Sequence, residues 1–190
     1  LANRAVAIAV YNFHGDAKED NPKFSTAIIP ADYAAAGGMM QPFSTLGAAE
    51  RGSVACDGAV TAGSSNDWKI PTEGLVVYDD YSGKAQKLDD GYTVSIEGFG
   101  DRLLQISPIE NGWSVIGRTD KYLSGAAVES IKADKQSLTV KLHESGPFGL
   151  WLAEGIPVAE GAKFIDKGNG FFIADLAVKT QPLEMTINRK

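Results

Sequence analysis

Short apolar or alternating runs recur along the chain, and Gly, Asn or Asp breaks each one. LVVYDD and KAQKL flank Tyr81-Ser82-Gly83, and Asp89-Asp90-Gly91 precedes YTVSIEGF. In that run Tyr92, Val94 and Ile96 point one way while Thr93, Ser95 and Glu97 point the other, as the two-residue period of a strand requires. Leu104, Ile106 and Pro108 alternate in the same way with Leu103, Gln105 and Ser107. Val128 to Ile131 and Leu138, Val140, Leu142 form a further pair; GPFGLWL, KFID, GFFIADLAV and LEMTIN follow, with Lys167-Gly168-Asn169 between the third and second of these. Strands spaced by ~8–12 residues with turn signals between them predict an all-β fold, an antiparallel β-sandwich of Greek-key type. One domain spanning residues 1–190 is the simplest division of such a chain.

Three local expectations follow. Arg4 to Phe13 is nearly continuous in apolar residues, as in a strand buried on both faces. Asn111-Gly112 is a strong two-residue hairpin signal, so Trp113 to Gly117 should pair back onto residues 103–109. Pro30 to Tyr33 should lead into a single helical turn, and residues 36–72, rich in Gly, Ala and Ser, form one long irregular excursion.

Charge and composition remove several functions. Net charge is −6 with acids and bases interspersed, so no basic patch exists for nucleic acid or an anionic membrane. No stretch approaches the ~20 apolar residues of a membrane span. A single Cys56 and two histidines, His14 and His143, are too few for a zinc site. The chain starts at Leu1 without Met or a secretory signal pattern, and the expectation is a chain processed or cut from something longer.

Candidate catalytic patterns dissolve on inspection. The acidic pairs Glu19-Asp20, Asp79-Asp80 and Asp89-Asp90 adjoin Gly, Ser or Asn, where Asp favours solvated turns through local backbone hydrogen bonds. No G-x-S-x-G elbow is present, and no helix follows Gly98-Phe99-Gly100 or Gly168-Asn169-Gly170, so neither is a phosphate loop. No nucleophile, base or metal set converges, and the chain alone is expected to be non-catalytic and to need no cofactor. Aromatic side chains are the better candidates, since exposed Trp and Tyr stack on sugars or fill a partner's pocket. Trp68, in the polar loop SSNDWKIP, with Tyr78 and Tyr81 are the residues for such a contact.

Residues 113–125 pose the sharpest question, because the apolar run Trp113 to Ile116 ends in Gly117 and then Arg118-Thr119-Asp120-Lys121. The expectation is a sandwich corner: Gly117 permits a bulge, Arg118 and Asp120 bond each other or free backbone groups, Tyr122-Leu123 re-enters the core, and Ser124-Gly125 turns again.

The order of these segments resembles the carboxy-terminal end of glycoside hydrolase family 36 proteins, namely raffinose synthases, seed-imbibition proteins and alkaline α-galactosidases. Ile116, Gly117, Asp120, Tyr122, Ser124, Gly125, Ala126 and Val128, then Gly146, Phe148 and Gly149, match that family's closing motifs. Asn12, Gly15, Ile28 and Asp32 match the passage after its barrel, and LVVYDDYSGKAQKL its late hairpin. The resemblance implies the β-sandwich that follows a (β/α)8 barrel, in a bacterial relative, with that barrel as partner and no catalytic residue in this chain. The alternatives are a free-standing carbohydrate-binding module, with carbohydrate as the partner, and a structural or adhesion domain.

Overall fold

The structure, a computed structural model, describes residues 1–12, 23–38, 68–176 and 183–190. Phe13, His14, Gly15, Glu19-Asp20, Cys56 and most of the 36–72 excursion lie outside the described residues. The fold is all-β and antiparallel, as the turn spacing requires. Its strands are β1 (Val6–Asn12), β2 (Phe24–Ile28), β3 (Leu75–Asp79), β4 (Lys84–Leu88), β5 (Tyr92–Ile96), β6 (Gly100–Pro108) and β7 (Trp113–Arg118). They continue with β8 (Val128–Ala133), β9 (Ser137–Leu142), β10 (Gly146–Leu152), β11 (Pro157–Val158), β12 (Phe164–Gly168), β13 (Phe171–Leu176) and β14 (Leu183–Arg189).

The strands build four layers rather than two. A sheet in the order β1-β6-β3-β4, here sheet I, is covered on one side by the β2-β5 pair. Val6, Leu75, Val77, Leu104 and Ile106 from sheet I meet Ile28, Val94 and Ile96 there. Its other side meets sheet II, in the order β12-β13-β10-β7, through Val76, Tyr78 and Ala85 against Ile116, Trp151 and Phe171. Sheet II in turn covers sheet III, in the order β11-β14-β9-β8, with Trp113, Phe148, Leu150 and Phe172 facing Leu138, Val140, Leu142 and Ile187. Strands covered by a sheet on each side have no solvent face and do not alternate in burial: all of β3 and all of β7 are buried. β10 returns beside β7 after the β8–β9 pair has crossed into the facing sheet.

One helix, α1 (Pro30–Gly38), is longer than the single turn expected. Pro30 supplies a preset φ at its start, and the Asp32 carboxylate accepts the Ile29 amide at 2.8 Å. Tyr33 anchors it in the first core, its hydroxyl donating to the Arg4 carbonyl at 3.0 Å. Tyr33 is buried and Ala36 packs against the same core, and tertiary packing of this kind stabilises so short a helix.

Two other expectations need correction. The amino-terminal strand is not buried on both faces: Ala7, Ala9 and Tyr11 are exposed while Val6 and Asn12 are buried. β1 is the edge of sheet I, and sheet II lies over β3 and β4 instead. The Asn111-Gly112 turn forms as predicted, with both φ values positive (54° and 80°) and Glu110 bridged to Trp113. The hairpin does not continue, however, because β6 pairs with β3 and β1 while β7 pairs with β10. The two strands diverge into different sheets at the turn. Glu73 fixes that point by accepting the Asn111 and Gly112 amides at 3.1 and 2.6 Å.

Side chains replace the missing ladder. Gln105 Nε2 donates to the Ile116 carbonyl at 2.8 Å and to Ser107 Oγ at 3.1 Å, while its Oε1 accepts the Gly125 amide at 2.8 Å. Asn3 Nδ2 donates to the Val115 carbonyl at 2.8 Å. Opposite these, Gly149 faces Gly117 and Leu150 faces Val115, so Ile116 is the extra residue of a β-bulge. Gly117 has φ +102°, and a Cβ there would overlap the Ser124 carbonyl. Gly83 also has positive φ, but a Cβ there meets open space. Gly117→Ala is therefore expected to cost at least about 2 kcal/mol. Gly83→Ala should cost only about 1 kcal/mol. Urea unfolding of the two variants reads the difference, and equal losses would mean that position 117 is an ordinary turn.

Candidate functional site

β7 ends in the residues that raise the question of chemistry. Arg118 is only 7% exposed, and its Nε and Nη2 donate to the two Asp120 carboxylate oxygens at 2.8 and 2.6 Å. Its Nη1 donates to the Ser145 carbonyl, and Glu144 lies 3.7 Å away. Lys121 reaches the same Glu144 at 3.3 Å. The Thr119 amide donates to the Pro147 carbonyl at 3.0 Å, which ties the corner to the start of β10. Gly146 is required beside it, since a Cβ at that position would overlap the Arg118 guanidinium. The guanidinium is thus spent on the protein's own groups, in the bidentate geometry that makes such pairs strong. The charged knot is a structural corner, as expected.

The Arg118 hydrogen bond, ahead of every other influence, holds the Asp120 carboxyl below its ordinary value of 3.8. The same bond raises Arg118 further above its ordinary value. A lowered folded-state carboxyl adds stability above the unfolded value, and that stability is lost as pH falls through the folded value. Asp120→Asn should accordingly be less stable than the parent at pH 7, and the gap should close as pH falls below about 4. Urea midpoints at pH 7 and at a series of lower pH values test this, and a gap that did not narrow at all below about pH 4 would assign the loss to packing.

Beyond the corner one expectation fails. Tyr122 and Leu123 do not re-enter the core but stand 62% and 47% exposed. The 3-10 turn Ser124–Ala127 buries Ser124, Gly125 and Ala127 instead, which lifts the two preceding side chains outward. They form one wall of a small cleft whose other lining residues include Ala7, Tyr78, Asp80, Leu103 and Ser124. Tyr122 donates its hydroxyl to Asp101 at 3.3 Å.

Asp80 is the polar feature of that cleft. Its amide donates to the Leu103 carbonyl at 3.2 Å, which fixes the backbone. No hydrogen bond or ion pair from the described residues reaches its half-buried carboxylate. Burial first, and Asp79 second, raise the Asp80 carboxyl above 3.8. Its neighbour behaves differently: Asp79 is buried and accepts the Tyr81 and Ser82 amides at 3.0 and 3.3 Å and the Tyr92 hydroxyl at 2.9 Å. The local bonding expected of a turn acid holds for Asp79, but full solvation does not. Asp89 and Asp90 are exposed, with Lys87 3.2 Å from Asp89.

The three aromatics singled out in the sequence are not brought together. Tyr78 is 2% exposed in the second core, with its hydroxyl donating to the Thr119 carbonyl at 3.3 Å. Burial, then Asp80, Asp79 and Asp120, push that phenol up to about 12. Tyr81 is 73% exposed on the β3–β4 turn, and the Arg102 guanidinium stacks 3.7 Å from its ring centre. Trp68 lies before the opposite end of β3, half-buried against Tyr33 at 5.5 Å between ring centres and under Arg4 at 5.7 Å. Asp80 and Tyr122, which line the same small cleft, carried no signal of their own: one looked like half of a turn pair, the other like a core residue.

Among the described residues no group of three His, Cys, Asp or Glu is placed to hold a metal, and no helix is long and apolar enough to cross a membrane. His143 lies on the surface, 3.8 Å from Glu129. No family model matches the chain, and no curated protein matches it either.

Proposed function

We propose that this chain is the accessory, non-catalytic β-sandwich of a larger glycoside hydrolase of the α-galactosidase and raffinose-synthase type. Its role in that reading is to pack against and support a (β/α)8 catalytic barrel. The observation that carries the packing role is the outward face of β1. Ala7, Ala9 and Tyr11 are exposed there, and Leu1, Tyr122 and Leu123 extend the same apolar character. Small side chains on an edge strand let a second folded surface approach closely, and contiguous apolar exposure marks a contact site. The sugar-processing part rests on the collinear likeness of residues 12–32, 75–88 and 116–149 to the family's closing segments, as an argument by analogy.

Carbohydrate binding by the chain itself is the weaker reading, because Trp68, Tyr78 and Tyr81 do not share a face. Of the three only Tyr81 is exposed, and the Arg102 guanidinium covers one face of its ring.

An antibody to the domain, used on lysate of the source cells, should detect a polypeptide far larger than 20.1 kDa, with room for a barrel of ~250 residues. A band near the size of this chain would sink the reading. In the longer polypeptide Ala9→Glu should expose the β1 face to proteolysis. In the isolated chain the same change should alter stability by no more than about 0.5 kcal/mol, as usual for an exposed site.

A further inference from the structure

The chain uses one dipeptide at two turns and treats the two copies differently. Asn111-Gly112 joins β6 to β7, and Asn169-Gly170 joins β12 to β13. Their backbones match, with φ of 54° and 80° in the first turn and 53° and 78° in the second. Both asparagines are exposed. Asparagine before glycine is open to an internal reaction, because glycine has no side chain to shield its nitrogen. That nitrogen loses its proton and bonds to the asparagine Cγ, the Cγ–Nδ2 bond breaks, and ammonia leaves. Water then opens the resulting succinimide to aspartate or isoaspartate.

At the first turn the surroundings oppose each step. The Glu73 carboxylate accepts the Asn111 and Gly112 amides at 3.1 and 2.6 Å. Ionising the Gly112 nitrogen would break the shorter bond and set a negative charge against that carboxylate. The Asn111 side-chain amide donates to the Ala133 carbonyl at 3.0 Å, which restrains its rotation. Arg189 on the Asn111 carbonyl at 3.0 Å favours ionisation, but it acts through the peptide, whereas Glu73 touches the reacting N–H itself. The second turn has neither restraint. Among the described residues no hydrogen bond holds the Asn169 side chain and no carboxylate accepts the Gly170 amide. The acid of this turn, Asp166, accepts the Gly168 amide instead, at 2.7 Å. The Asn169 carbonyl accepts the Trp151 Nε1 proton at 2.6 Å, which polarises the Asn169–Gly170 peptide toward loss of its proton.

We propose that Asn169 is a site of spontaneous deamidation, and that Glu73 guards the matching Asn111-Gly112 turn against the same reaction. The guard stands where a change would spread furthest. Glu73 before β3, Ala133 at the end of β8 and Arg189 at the end of β14 all bond the Asn111-Gly112 turn, so it ties sheets I and III to the start of β7. Asn169 lies beside β12, the edge strand of sheet II. Its conversion adds one negative charge, and the isoaspartate route also lengthens the main chain by one methylene. That lengthening shifts the carbonyl that Trp151 uses. Trp151 is buried in the core between sheets I and II, so its indole N–H would lose its acceptor away from water. The inference goes beyond the accessory-domain reading and does not depend on it.

The test is incubation of the full chain at mildly alkaline pH, with deamidation and isoaspartate followed by mass spectrometry of the peptides that carry Asn111 and Asn169. The Glu73 clamp is exposed to solvent, so the low end of a charged hydrogen bond applies, and Asn169 should be lost about tenfold faster than Asn111. Glu73→Gln should bring the Asn111 rate up toward that of Asn169. Asn169 in the same variant serves as the internal clock, and its unchanged rate shows that the fold is retained. In concentrated urea, where the clamp is gone, the two asparagines should react alike. As isoaspartate accumulates, the Trp151 indole N–H resonance should move while that of Trp113, bonded to the Asp134 carbonyl, stays in place. Equal rates at the two sites in the folded chain would overturn the proposal. So would an Asn111 rate that Glu73→Gln leaves unmoved, or a difference in rate that persists in urea and so belongs to the neighbouring residues alone.

Discussion

The fold depends on what happens to the free edge of β7. This strand leaves the Asn111-Gly112 turn without its hairpin partner, and its carbonyls at Val115 and Ile116 would be buried and unpaired. A buried carbonyl without a donor costs about 1–3 kcal/mol. Asn3 and Gln105 supply the donors, one from the segment before β1 and one from the middle of β6. Two amide side chains thereby do the work of a neighbouring strand, and they bind sheet I to sheet II by directional bonds as well as by apolar contact. The Val76, Tyr78 and Ile116 layer adds apolar contact without direction, and the Tyr78 hydroxyl bond to the Thr119 carbonyl is a further directional tie.

The corner inherits its geometry from that seam. Gln105 takes the Gly125 amide as well as the Ile116 carbonyl, so the 3-10 turn lies close over β7 at Gly117. That closeness leaves no room for a side chain at Gly117. It also holds Arg118 where Asp120 and Ser145 can use its whole fork. Tyr122 and Leu123 are displaced outward by the same constraint. The small cleft that Asp80 helps to line is therefore a product of how two sheets are joined.

Much of the architecture was legible in the residues. Turn dipeptides placed the hairpins of β3–β4, β8–β9 and β12–β13, and period-two alternation placed the buried faces of β5 and β14. What local pattern cannot carry is which sheet a strand joins. Asn111-Gly112 specifies a reversal of direction, and the reversal occurs. The strand after it is drawn away because both of its faces are apolar and both find a layer, Trp113 and Val115 on one side and Ile116 on the other. β1 misleads for the opposite reason: Ala7 and Ala9 count as apolar, yet their small surfaces gain little from burial and leave an edge face open. The candidate site was less legible than the fold. Asp79 and Asp80 are adjacent and chemically identical, yet the Tyr81 and Ser82 turn amides and the Tyr92 hydroxyl all bond Asp79, while among the described residues no hydrogen bond reaches the Asp80 carboxylate.

The joining of β1 to β6 also sets a timetable. Val6 pairs with Ile106 and Asn12 with Gly100, while Asn3 reaches Val115. β1 therefore leaves the ribosome well before β6, its partner in the ladder, has been synthesised. Pairings so distant in sequence are slow to form, and an unpaired apolar strand is a hazard while it waits. The alanines that leave the outer face of β1 open in the finished fold also make that waiting strand less sticky than one built from valine and leucine. One choice of residue size thus serves both the nascent chain and the mature surface.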